Sequence, residues 1–179
     1  MIMRFTDQHT STPEKVVGLM ENSPWLVNEN VVVSEKERQK RLDEIVAQVN
    51  LLDFEQRRRL REDGDAASNR FFNSLSAAEK SQFLQKTVEH HFKSVMKAFN
   101  QMPQEERRRL VEQARRDMQK NNVDGQNMDR LREEDEKVFE TLVDKGLGAY
   151  YEDASVETKM DLAPLMEEMQ QRLRGFQNH

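Results

Sequence analysis

Four histidines, His9, His90, His91 and His179, are the residues of this 179-residue chain best suited to ligate a metal or move a proton. Their spacing works against both roles. Neighbouring residues on a helix diverge by about 100°, so His90 and His91 do not line one site. No Glu-x-x-His or His-x-x-x-His spacing accompanies them, which sets aside ferritin-like and zincin centres. The chain has no cysteine, hence no disulfide framework, thiolate metal site or thiol nucleophile. Its six glycines are scattered and form no phosphate-cradling loop, and Gly146-Leu147-Gly148 reads as an isolated helix break. No nucleophile elbow or local triad signature is present. Carboxylates are too numerous for any one pair to stand out. No catalytic residue, metal ligand or cofactor site is expected.

Two arginine runs, Arg57-Arg58-Arg59 and Arg107-Arg108-Arg109, invite a nucleic-acid reading. Three consecutive helical residues fan across about 200° of surface, so neither run forms a stripe that could track a phosphate backbone. Glu105 with Arg109, Arg108 with Glu112, and Arg58 with Glu62 stand four apart and suit ion pairs along a helix. The net charge of −5 also weighs against nucleic acid. The charge is uneven: residues 1–120 carry 21 basic and 19 acidic side chains, residues 121–179 carry 7 and 14. Complementary or solvated faces account for this difference.

Apolar residues offer a better lead. Ten methionines are many for this length, and Met160, Met166 and Met169 fall in one predicted helix with Leu165, Leu173 and Phe176. A methionine-rich face can repack around varied partners, although filling gaps in a core needs the same residues. Trp25, the sole tryptophan, is either an anchor pinning the N-terminal segment to the core or a partner-binding residue. The candidate partner-binding residues are therefore Trp25, Met160, Leu165, Met166, Met169 and Leu173.

The elements that position these residues are helices. Charged residues make up 34% of the chain and hydrophobic ones 36%, against about 25% charged in typical domains. Helices with narrow apolar stripes and wide solvated faces give that balance. The expectation is an all-α protein of seven or eight helices in an elongated or curved assembly. A chain this long can bury roughly 70% of its unfolded surface. The first twelve residues hold no signal-peptide apolar core, and no window approaches 18 apolar residues, so a cytoplasmic location is expected.

Thr12-Pro13 starts a short helix that runs out near Asn22. Residues 23–33 have the only β character, two apolar runs around Asn28-Glu29-Asn30 that would make a small hairpin or an extended arm. Ser34 and Glu37 form a capping box, followed by a buried stripe of Leu42, Ile45, Val49 and Leu52. Asp53 caps a short helix ending near Gly64, and another carries Phe71, Phe72 and Leu75. The longest helix runs from Ser76 to about Asn100 with Leu84, Val88, Phe92, Val95 and Phe99 in its stripe. Pro103 opens the next. The polar, turn-rich stretch 121–128 coincides with the charge shift and is the expected linker. It separates an N-terminal helix and arm (1–33) and a helical core (34–120) from an acidic helical lobe (129–179), if the whole is not one continuous domain. In that lobe a helix from about Asp129 carries Val138, Phe139 and Leu142 and falters at Gly146 and Gly148. The last helix starts at Ser155, must kink or break at Pro164, and ends at Gly175.

Four helix starts share a pattern: a cap or proline, a polar residue three on, Lys or Arg four on, and an apolar residue seven on. They are Asp53-Gln56-Arg57-Leu60, Ser76-Glu79-Lys80-Phe83, Pro103-Glu106-Arg107-Leu110 and Ser155-Thr158-Lys159-Leu162. Phe72-Asn73 and Phe99-Asn100 precede the middle two at the same distance. Capping explains the first half of the pattern; the shared lead-in points to a degenerate helical repeat. Leu75-Ser76-Ala-Ala-Glu79-Lys80 and Met102-Pro103-Gln-Glu-Glu106-Arg107 resemble the LTPEER-type helix starts of uncharacterised bacterial all-helical proteins. More distantly, residues 71–116 are similar to the LTxxQ motif of Spy-type chaperones. The resemblance implies a helical fold and, as an alternative function, a chaperone-like shielding of apolar segments. The residues themselves favour a non-enzymatic protein–protein interaction module, with an enzyme a distant third. Its partner would be another protein or, given the narrow stripes, a second copy in a homodimer.

Overall fold

The computed structural model describes residues 10–120 and 136–177. Among them are nine helices and no strand: α1 (Pro13–Glu21), α2 (Pro24–Val27), α3 (Glu35–Asn50), α4 (Phe54–Asp63), α5 (Asp65–Asn73), α6 (Ala77–Gln101), α7 (Gln104–Lys120), α8 (Glu136–Asp153) and α9 (Val156–Gln177). The protein is all-α, with slightly more helices than the sequence predicts. None of these helices is long and apolar enough to cross a membrane.

The helix starts follow the capping chemistry. The Thr12 hydroxyl accepts from the Lys15 amide at the head of α1. Ser34 with Glu37 and Asp53 with Gln56 close reciprocal capping boxes on α3 and α4. Ser76 and Glu79 do the same on α6, the Glu79 carboxylate accepting from the Ser76 amide at 2.9 Å and the Ser76 hydroxyl accepting from the Glu79 amide at 3.2 Å. Each device satisfies amides that no helical carbonyl can reach.

The packing divides into two compact units, Met1–His91 and Phe92–His179. The division falls inside α6, where neither composition nor charge changes. In the first unit α1 packs against α3, α4 and α5. Its core holds Val16 and Met20 of α1, Leu42, Ile45 and Val49 of α3, Phe71 of α5 and Phe83 of α6, with Leu52 and Leu75 from the connections. Phe71 lies at the centre, its ring 6.2 Å from those of Trp25, Phe72 and Phe83. Gly64 joins α4 to α5 where a β-carbon would stand 2.8 Å from the Leu60 carbonyl oxygen and 2.9 Å from Val17 Cγ2. Only glycine leaves room there for the Leu60 carbonyl and the Val17 side chain. In the second unit α7 packs along α9, and the core gathers Met96, Val111, Ala149, Ala154 and Leu162, with Phe92, Val95, Phe99, Tyr150, Leu165 and Met166 packed against it.

Several sequence expectations are corrected. Residues 23–33 form no hairpin: Ser23-Pro24 opens the one-turn helix α2, because proline at the first position presets a helical φ. Helix α8 runs through Gly146 and Gly148 to Asp153. Gly146 faces the Phe92 ring, which a β-carbon would meet at 3.2 Å, so its small size serves packing. Helix α9 continues past Pro164 and past Gly175 to Gln177. The carbonyl that Pro164 cannot serve belongs to Met160, and both residues are exposed, so water can take the orphaned acceptor. The expected linker at 121–128 and the helix start near Asp129 lie outside the described residues.

Candidate functional site

The indole of Trp25 is half-buried and held by three neighbours. Its Nε1 donates to Ser74 Oγ at 2.9 Å, its face lies 4.2 Å from the Arg38 guanidinium, and its ring is tilted 35° to that of Phe71. Arg38 in turn donates Nε and Nη2 to the two Glu79 oxygens, both at 2.8 Å, and Nη2 also to the Ser74 carbonyl at 3.2 Å. Bidentate pairing holds the Glu79 carboxyl below its ordinary range and the Arg38 guanidinium above its own. The network fastens α2 to the start of α6. Immediately after this anchor the chain exposes Val27 (66%), Val31 and Val32 (97%).

The five candidates of α9 do not share a face. Leu165, Met166, Met169 and Leu173 recur with Leu162 at helical spacing along one side. Leu162 is buried, and Leu165 and Met166 pack on the second core. Leu173 is half-buried, and Met169 is exposed at the margin. Met160 is two residues before Leu162 and points about 160° away. It is 72% exposed, next to Val156 at 70%. Tyr151, at 59%, belongs to the same corner: the Lys159 ammonium donates to its carbonyl at 2.7 Å, and its ring stacks edge-on against Tyr150. The turn between α8 and α9 is pinned by Asn100. The Asn100 amide donates to the Asp153 carbonyl and its oxygen accepts from the Ser155 amide, each at 2.8 Å.

The arginine runs fan as the sequence predicts, but with one member of each turned inward. Arg107 is buried between α7 and α9. It donates Nε to Asp161 Oδ2 at 2.9 Å and Nη1 to the carbonyls of Met102 (2.5 Å) and Phe99 (3.2 Å). Arg108, which stands four residues from Glu112, reaches Asp161 Oδ1 at 3.1 Å instead, and Glu112 pairs with Arg115 and Arg116. The expected Arg58–Glu62 pair is present. Hydrogen bonds first from Arg107 and then from Arg108 hold the Asp161 carboxyl below its ordinary value. A lowered folded-state pKa stabilises above the usual carboxylate range, and the stabilisation is lost as pH falls through the folded value. In an acid titration followed by circular dichroism, Asp161→Asn is expected to remove part of the acid-induced loss of stability below pH about 4. An unchanged acid limb would contradict the coupling.

Arg57, at the same place in the repeat, is also buried and donates Nε to the Leu52 carbonyl at 3.1 Å. Each arginine thus ties its side chain to the carbonyl five residues back, just before the helix cap. His90 is exposed, whereas His91 is half-buried near Arg57 and Arg61. Burial and those two cations push its imidazole down to about 4, so it is neutral at physiological pH. No group of three or more potential metal ligands occurs among the described residues.

Comparison with protein families, curated proteins and solved structures finds no match to this chain. Function is therefore read from surface and chemistry alone. Sequence reasoning missed the Tyr151–Val156–Met160 corner because it grouped the methionines by helix and not by angle. It passed over the buried arginines because runs of arginine read as surface. The repeat held the missing signal, since Arg57 and Arg107 both follow a cap by four residues. Asn50 was a further trace: it precedes its cap by three residues, as Asn100 does, and donates to a distant carbonyl, that of Lys86.

Proposed function

We propose that the protein is a non-enzymatic interaction module whose α8–α9 corner inserts into an apolar pocket of another protein. The observation that carries this reading is the exposure of Tyr151, Val156 and Met160 together on a turn fixed by Asn100. Large apolar side chains held outward on a hydrogen-bonded turn are anchors ready to fill a partner's pocket, and a few such anchors dominate most interfaces. Met160 adds a flexible, polarisable tip that can adapt to the pocket it meets.

Quantitative mass spectrometry of proteins captured from native lysate by the tagged full chain tests this reading. One or two stoichiometric partners are expected, at least tenfold depleted when Val156→Asp and Met160→Asp are introduced together. Both sites are exposed, so helicity should stay unchanged. Undiminished capture by the double variant would rule out the corner. A second reading, chaperone-like shielding of unfolded chains, draws on the additional exposed valines 27, 31 and 32 in the first unit. It expects a diffuse set of substoichiometric clients and suppression of aggregation.

A further inference from the structure

The first unit holds a buried cation without a counter-charge. Arg57 is 7% exposed. Its Nε is satisfied by the Leu52 carbonyl, but its Nη2 is sealed from solvent with no hydrogen-bond partner. The charge that acts on it comes from Arg61, one turn further along α4 and of the same sign. His91 of α6 lies within electrostatic reach of both. The other two members of the run are already taken, Arg58 by Glu55 and Glu62 and Arg59 by Glu14. A guanidinium withdrawn from water with neither an anion nor a full set of acceptors is costly to keep. Such an orphan calls for a specific explanation.

The second unit shows what is missing. Arg107 stands at the same repeat position, also bonds the carbonyl five residues back (through Nη1, where Arg57 uses Nε), and shares the Asp161 carboxylate with Arg108, one oxygen each. The acceptor absent at Arg57 is therefore a negatively charged group with at least two oxygens. The closure around Arg57 decides its size. An acidic side chain from a partner would have to bring its own backbone through that cover, whereas a free ion need not. Arg61, exposed and without an ion pair among the described residues, marks the side from which an ion would arrive. We propose that Arg57 and Arg61, with His91 beside them, form a binding site for one small inorganic oxyanion of the phosphate class. Separate oxygens of such an ion can accept from Arg57 Nη2 and from Arg61, a two-point match that favours an oxyanion over monatomic chloride.

The test is calorimetric titration of the full chain with sodium phosphate against chloride at constant ionic strength, with thermal unfolding measured in the same buffers. Saturable binding of one ion per chain is expected, with a higher Tm in phosphate, because a ligand of the folded state stabilises it. Arg57→Met should abolish both effects. Arg61→Gln, an exposed change that leaves folding intact, should weaken binding at least tenfold. The His91 ring resonances should move on phosphate addition in the wild type and stay in place in Arg61→Gln at the same concentration. The proposal is overturned if the wild type shows no saturable phosphate binding, or if Arg61→Gln binds phosphate as tightly as the wild type. Binding of several ions per chain, weakened equally at every salt-exposed arginine, would likewise overturn it.

Discussion

Phe71→Ala is expected to destabilise the first unit by about 3–5 kcal/mol, the usual range for deleting a fully buried phenylalanine. Phe71 has no exposed surface, and its ring touches aromatic neighbours from three different elements, Trp25 of α2, Phe72 of α5 and Phe83 of α6. The cavity left by alanine cannot collapse easily. The Trp25 indole is fixed to Ser74 and Arg38, and Phe83 sits on the long helix α6, whose register is set by the Ser76–Glu79 capping box. Trp25 is also the only tryptophan, so its fluorescence reports this unit alone. In urea, with a slope of about 1–3 kcal/mol/M, the fluorescence midpoint should fall by more than about 1 M. A shift well below that would mean the unit is held elsewhere, by the α1–α3 contacts of Val16, Met20 and Ile45.

The fold class and most helix starts were legible because both rest on local chemistry. Periodic apolar residues and cap side chains act within a few residues of each other, so a single sequence shows them. The stripe Leu42, Ile45, Val49 and Leu52 is buried as its spacing requires. What failed depended on distant neighbours. Gly146 looks like a helix breaker until the Phe92 ring is placed over it, and residues 23–33 look like a hairpin until Trp25 finds Ser74, 49 positions away. Helix ends were hard for a related reason: Gly175 carries the local mark of a helix end, yet the last helix runs on to Gln177. The candidate site was half legible. Met160 was visible as an apolar residue, but its outward direction follows from Leu162 pointing inward, which packing decides. The buried arginines were hidden by their own run: two of three residues in each are solvated, and that majority reads as surface.

Arg107→Ala should destabilise the second unit by about 3–5 kcal/mol, because it removes the buried partner of the Asp161 carboxylate and leaves Oδ2 without its donor. Three acceptors lose this donor at once, Asp161 Oδ2 and the carbonyls of Met102 and Phe99, of which the Phe99 carbonyl keeps the Met102 amide. Arg108 remains on the other Asp161 oxygen, but it is exposed and cannot fill the space. The combined change Arg107→Met with Asp161→Leu should recover much of the loss, since a packed apolar pair of similar volume avoids the desolvation of both charges. Urea unfolding monitored by far-ultraviolet circular dichroism measures all three chains. If the double variant is as unstable as the single, the carbonyl bonds and not the ion pair hold α7 to α9. Arg57→Met provides the contrast. It removes a guanidinium that has one carbonyl bond and no anion, so in chloride it should change stability far less than Arg107→Met, the same substitution at the same repeat position. That difference in stability, together with a phosphate-dependent Tm in the wild type, is the result expected if Arg57 serves an anion and not the fold. The two arginines thus separate the two uses of one helix-start device. With Asp161 supplied by the chain the device closes a helix pair, and with that carboxylate missing it is left open to an anion from solution.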